Sequence, residues 1–292
     1  MSIITFWNDD NEQSGQTLAA VATATTMAID HNYKILLIST GYEDRTMKNC
    51  FLETTLKKRA NIFGKRETTV ENGIEGLARL ITSNKIQPSI ITDYTYVIFK
   101  DRLELLNGYV GSLEKSKEER YIDFKKASEC FPELLKVANE YYDMVIVDLD
   151  RKTDEQIRKQ ILDLADLNIY ISTQRLSSLK KYLSLKENGI IPSSPKYMIV
   201  LGKYHQESKY NKKNLTKYLS EKKEINVIPF NMLYFEASEE TTVAELFLKL
   251  KTLKDSNDDN YVFISENEKL VNRIIERLQE LKMRLRWENV NF

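Results

Sequence analysis

The chain has 292 residues, of which 42% are hydrophobic and 29% charged, a balance suited to a globular protein with a large core. Its 43 Lys plus Arg equal its 43 Asp plus Glu, so bulk attraction to nucleic acid or to an anionic membrane is excluded and only local patches remain. His31 and His205 are too few for a histidine-rich metal site, and Cys50 and Cys130 fit neither a zinc spacing nor a disulfide framework.

The opening MSIITFWNDD lacks the basic start and apolar stretch of a signal peptide. No apolar run reaches the roughly 18 residues of a membrane span. The expected location is the cytoplasm, with any membrane recruitment left to partners.

In chain order, Ile3–Trp7 is a strand candidate, followed by a polar loop and an Ala/Thr-rich helix over about Gln16–His31. Lys34–Ser39, Met144–Asp148, Leu167–Ser172, Tyr197–Leu201 and Ile225–Pro229 are further apolar runs. They are continuous rather than alternating, as in strands covered on both faces. Helical periodicity separates them over Glu71–Ser83, Tyr121–Tyr141, Thr153–Leu164, Ser177–Asn188 and Thr242–Leu250. Phe51–Glu71 reads as irregular and basic, Leu113–Arg120 as a solvated loop, and Lys254–Asn260 as a linker into a last helix over about 262–286. Strand–helix repetition predicts right-handed βαβ units. The expected fold is one three-layer α/β/α domain spanning residues 1–292, with a doubly wound, mainly parallel sheet of about seven strands and Met144–Asp148 at its centre.

The loop Asn8–Thr17 joins the first strand to the first helix, which is the topology of a phosphate-binding loop. Its chemistry departs from that. A working loop needs a lysine for the β- and γ-phosphates and a Ser/Thr for Mg²⁺. Gly15 and Thr17 stand in the glycine and metal-ligand places, but Gln16 replaces the lysine. Asp9, Asp10 and Glu12 add negative charge; each like-charge pair at about 6 Å costs ~1–3 kcal/mol, against ~0.3–1 kcal/mol from the helix end. One of Asp9, Asp10, Glu12 or Ser14 is expected to cap the helix start and to occupy part of the phosphate position.

These residues resemble the ParA/MinD deviant-Walker ATPases, and within them the TadZ-like proteins of Gram-positive pilus and conjugative elements. The family loop K-G-G-x-G-K-[ST] aligns with Asn11-Glu12-Gln13-Ser14-Gly15-Gln16-Thr17, so Asn11 replaces the lysine that crosses to a partner subunit. Where the family has a D-x-D-like switch, this chain has Ser39 and Gly41; Glu43 and Asp44 could substitute only with a shifted backbone. YYDMVIVDLD matches the Walker B strand, with Asp148 as its aspartate. Gly202 and Lys203 replace an Asn-Arg pair near the adenine, and NVIPFN matches an I-P-x-N turn. The resemblance implies a vestigial or weak site for ATP or ADP with Mg²⁺. Its nucleotide contacts would be Asn11, Gly15, Gln16, Thr17, Leu18, Pro229 and Asn231, and Thr17 with Asp148 would hold the metal.

Asp150 is expected to cap the next helix. Lys57, Lys58, Arg59, Lys65 and Arg66 could meet DNA phosphates, but no recognition helix or aromatic interleaving accompanies them, so DNA binding is disfavoured. The last helix carries Leu270, Val271, Ile274, Ile275, Leu278, Leu281 and Leu285 at helical spacing over a mixed-charge opposite face, which favours packing over membrane contact. The functional expectation is a non-hydrolysing scaffold or positioning protein, able to form a homodimer and serving protein partners in a pilus, conjugative secretion or partition machine. The alternative is an ATP-dependent dimeric switch for plasmid or chromosome partition, or DNA binding.

Overall fold

The computed structural model describes residues 1–10, 13–52, 73–111 and 114–290, with backbone alone at 285 and 288–290. Asn11, Glu12, Leu113 and the basic cluster Lys57, Lys58, Arg59, Lys65 and Arg66 lie outside the described residues.

Among the described residues, eight strands form one sheet: β1 (Ser2–Trp7), β2 (Ile35–Ser39), β3 (Tyr96–Phe99), β4 (Leu103–Leu106), β5 (Met144–Leu149), β6 (Leu167–Ser172), β7 (Tyr197–Tyr204) and β8 (Asn226–Pro229). Their order is β3-β4-β2-β5-β1-β6-β7-β8. Every pairing is parallel except β3 with β4. The fold class and the central place of β5 are as expected. The strand number is larger than expected, because Tyr96–Phe99 and Leu103–Leu106 form a hairpin of two four-residue strands whose pattern is too short to show periodicity. Asp101 turns it at φ 60°, a left-handed conformation that Asp tolerates.

The helices are α1 (Gln16–Asp30), α2 (Thr46–Asn49), α3 (Gly73–Thr82), α4 (Lys117–Ser128), α5 (Phe131–Asn139), α6 (Glu155–Leu164), α7 (Leu176–Glu187), α8 (Lys212–Tyr218), α9 (Met232–Glu240), α10 (Val243–Leu250) and α11 (Asp259–Val290). Successive strand residues point to opposite faces, and the core divides accordingly. Ile3, Trp7, Leu36, Ile38, Val145 and Val147 pack beneath α3 to α7. Ile4, Phe6, Ile35, Leu37 and Ile146 pack beneath α1, α9, α10 and α11. The small side chains of α1 let it lie close on the sheet, with Ala19 through Ala28 buried.

Three expectations are corrected. Tyr121–Tyr141 is two helices rather than one, because Pro132 sits in the first turn of α5, where it cannot donate to a continuing ladder. Leu113–Arg120 is not wholly loop: Ser116 and Glu119 form a reciprocal capping box that starts α4 at Lys117. The last helix is longer than 262–286 and runs from Asp259 to Val290. Among the described residues no helix is long and apolar enough to cross a membrane.

Candidate functional site

The parallel register puts Ser39 and Phe6 beside Asp148, so β1, β2 and β5 end together on one sheet edge. Ligands of open α/β sheets bind at such an edge. The loop after β1 crosses it. Asn8 holds the loop's start, donating Nδ2 to Ile171 O and accepting Asp10 N on Oδ1, each at 2.5 Å. Gly15 holds the end at φ 79°, a conformation that favours glycine. Close packing from β7 shapes the same loop: a Cβ on Gly202 would stand 2.3 Å from Ser14 O, so only glycine fits there.

Gln16, Thr17 and Asp148 meet. The Gln16 amide donates to Asp148 Oδ1 at 2.6 Å and to Leu149 O at 3.0 Å. The Thr17 hydroxyl donates to Asp148 Oδ2 at 2.8 Å. Asp148 is 3% exposed. Burial pushes its carboxyl up to about 7; the two hydrogen bonds oppose the shift, and the charges of Asp44 and Asp150 add to it.

Of the residues expected to cap the start of α1, Asp9, Asp10 and Ser14 make no such bond among the described residues, and Glu12 lies outside them. Asp9 turns away from the helix, to Arg158 at 2.8 Å and Lys181 at 3.1 Å. Those two cations neutralise it better than free N–H groups could. Asp150 does not cap the next helix either. Asp154 does, accepting from Gln156 N and Ile157 N, while Asp150 accepts Lys152 N at 2.8 Å within the preceding turn.

The other predicted positions scatter. Leu18 is partly buried, and its carbonyl accepts the Tyr234 hydroxyl at 2.7 Å. Asn231 caps α9 through Tyr234 N at 2.8 Å and donates to Asn260 Oδ1 at 2.8 Å. With Pro229 it borders a cavity of about 1040 Å³ that Phe230, Met232 and Leu233 also line. Glu43 is drawn off to Arg120 at 2.6 Å. Asp44 accepts Thr46 N at 2.8 Å. Arg158, Lys181 and the Asn8 bond to Ile171 leave no local signature in the sequence, because their partners lie about 150 or more positions away.

The residues fit a tightly held Mg-nucleotide poorly. The Thr17 hydroxyl, a group suited to a metal, donates instead to Asp148, and Gln16 brings a neutral amide rather than an ammonium to the same carboxylate. Lys203 brings a positive side chain to the loop, its Cγ and Cε lying 3.3 and 3.4 Å from where a Cβ on Gly15 would stand.

No protein-family model matches the chain, and no curated protein does. Solved structures do. A ParA family ATPase from Chlorobium tepidum TLS superposes with a TM-score of 0.62 at 16% identity, covering 86% of this chain and 93% of that one. The cell division ATPase MinD of Pyrococcus furiosus gives 0.62 at 14% identity, covering 94% and 99%. The septum site-determining protein MinD of Pyrococcus horikoshii, complexed with Mg-ADP, gives 0.57 at 15% identity, covering 94% and 98%. The chain therefore has the fold of the ParA/MinD ATPases.

Proposed function

We propose that this chain is a positioning or scaffold protein built on a nucleotide-hydrolase fold, with an internal hydrogen-bond latch where the chemistry would be. The observation that carries the reading is the Gln16 amide on Asp148 Oδ1 at 2.6 Å. A lysine in that place neutralises the charge that grows on transferred phosphoryl oxygens, and an amide does not. The latch also holds the loop to β5 without a ligand. The partner we assign is a membrane machine of the pilus or conjugative kind. That assignment rests on the resemblance to TadZ-like proteins and on the exposed Phe230, Met232, Leu233 and Phe235, a type of surface that partner proteins cover.

The test is phosphate release at saturating Mg-ATP, run beside thermal unfolding with and without the nucleotide. The expected result is no turnover and no more than a marginal rise in melting temperature. Turnover abolished by Thr17→Ala would overturn the reading.

One observation favours the second reading, an ATP-dependent dimeric switch. The Lys203 stem lies on Gly15, and among the described residues Lys203 has no carboxylate partner, so it could meet a phosphate in place of the missing lysine. A rise of several degrees in melting temperature with millimolar Mg-ATP, lost in Lys203→Ala, would select it.

A further inference from the structure

A second cavity, of about 490 Å³, opens at the amino edge of the parallel strands, opposite the edge that carries the loop. It lies between the start of β7, the segment before β8 and the later turns of α11. Lys186, Lys222, Lys223, Arg273, Arg277 and Arg284 line it. Among the described side chains, three carboxylates, Glu221, Glu224 and Glu280, do so as well.

Two of these carboxylates, Glu221 and Glu280, are already committed or outnumbered. Glu221 accepts from Lys186 at 2.9 Å and from the Tyr182 hydroxyl at 2.8 Å. Glu280 is shared by Lys223 at 3.3 Å, Arg273 at 3.5 Å and Arg277 at 3.7 Å. Among the described residues, Lys222 and Arg284 have no ion pair. Arg273 Nη2 and Arg277 Nε are buried without an acceptor.

This arrangement costs stability. Arg273 and Arg277 stand four residues apart on α11, a spacing at which like charges destabilise a helix, and Arg284 follows on the same face. Burial, and then the charge of Arg273, hold the Arg277 guanidinium below its ordinary range. Arg273 also pairs with Glu276 at 3.0 Å, but guanidinium N–H groups buried without an acceptor are expensive unless an anion completes them. The guanidinium fork suits the paired oxygens of a phosphate. The cavity is much larger than one phosphate needs, and its volume falls in the range of small-molecule sites. Ile191, Pro192 and Met198 give it an apolar wall.

We infer that this cavity binds a soluble organic polyphosphate of about nucleotide size, its phosphates on Arg273, Arg277 and Arg284 and its organic part against the apolar wall. The site is separate from the loop and does not depend on the function proposed above.

The test is titration calorimetry on the full chain at about 150 mM salt, with inorganic tripolyphosphate and ADP as probes. Both are expected to bind the wild type. A double variant at the rim, Lys222→Gln with Arg284→Gln, should weaken both by about tenfold or more. Arg277→Lys keeps the charge but loses the fork, and should weaken tripolyphosphate by several-fold. Unliganded melting curves of each variant confirm that the fold is retained. Three results would overturn the inference: no binding at millimolar probe, equal binding by wild type and the double variant, or full competition by sulfate at matched ionic strength. Co-sedimentation with phosphatidylglycerol vesicles in the absence of tripolyphosphate binding would also overturn it, because a lipid surface would then be the partner.

Discussion

The side chain of Lys203 lies across Gly15, at 3.3 Å from Cγ and 3.4 Å from Cε to the place a Gly15 Cβ would take. Lys203 itself has φ 48°, so the end of β7 bends toward the loop with both residues in left-handed conformations. Gly15→Ala should therefore cost ~1–2 kcal/mol for the backbone alone, plus the displacement of the lysine stem. Lys203→Ala in the same background should recover only the second part. Urea denaturation of the two single variants and the double variant separates the contributions.

Asp148 supplies a pH-dependent prediction. Its carboxyl is pushed up to about 7 from an ordinary 3.8, so between those values the folded state holds the proton more tightly than the unfolded chain. Stability then falls as pH rises through this window, and the whole cost is present above it. Asp148→Asn removes the charge but can keep bonds to Gln16 and Thr17. It should be more stable than wild type at pH 8, by roughly 2–4 kcal/mol, with the gap closing toward pH 4. A gap that does not change with pH, in melting curves across the range, would contradict this.

Glu104 is 7% exposed and is held by the Tyr142 hydroxyl at 2.5 Å and the Thr95 hydroxyl at 2.9 Å. Tyr142→Phe removes one donor to a buried carboxylate and should cost about 1–3 kcal/mol. Glu104→Gln should cost less in the Tyr142→Phe variant than in wild type, a coupling that equilibrium unfolding can measure.

The two thiols should differ in reactivity. Burial pushes Cys50 up to about 12, while Cys130 is partly exposed and less shifted. A thiol-reactive reagent should label Cys130 in the native protein and reach Cys50 only on unfolding, since the thiolate is the reacting species. Mass spectrometry of quenched samples reads the order directly.

The parallel core was legible because strands covered on both faces leave continuous apolar runs, and Met144–Asp148 and Leu167–Ser172 are such runs. The β3–β4 hairpin was not, because four residues carry too little pattern. The α4 start had a local signature, Ser116 with Glu119, inside a charge run that reads as solvated loop. At the site, the meeting of Gln16, Thr17 and Asp148 follows from strand order and could be expected. The diversion of Asp9 to Arg158 and Lys181 could not, because it depends on where α6 and α7 lie against the sheet.

The two borders of the sheet differ from its interior, and this bears on how copies of the chain meet. On one side, β3 has four residues and a register break between Val97 and Phe99. On the other, β8 ends at Pro229, which has no N–H to offer, and α11 packs along it. A kinked border and a border covered by a helix are both poor templates for an added strand. Among the described residues, neither border favours the extension of the sheet by a second copy, so side-chain contacts are the better route for two copies to meet.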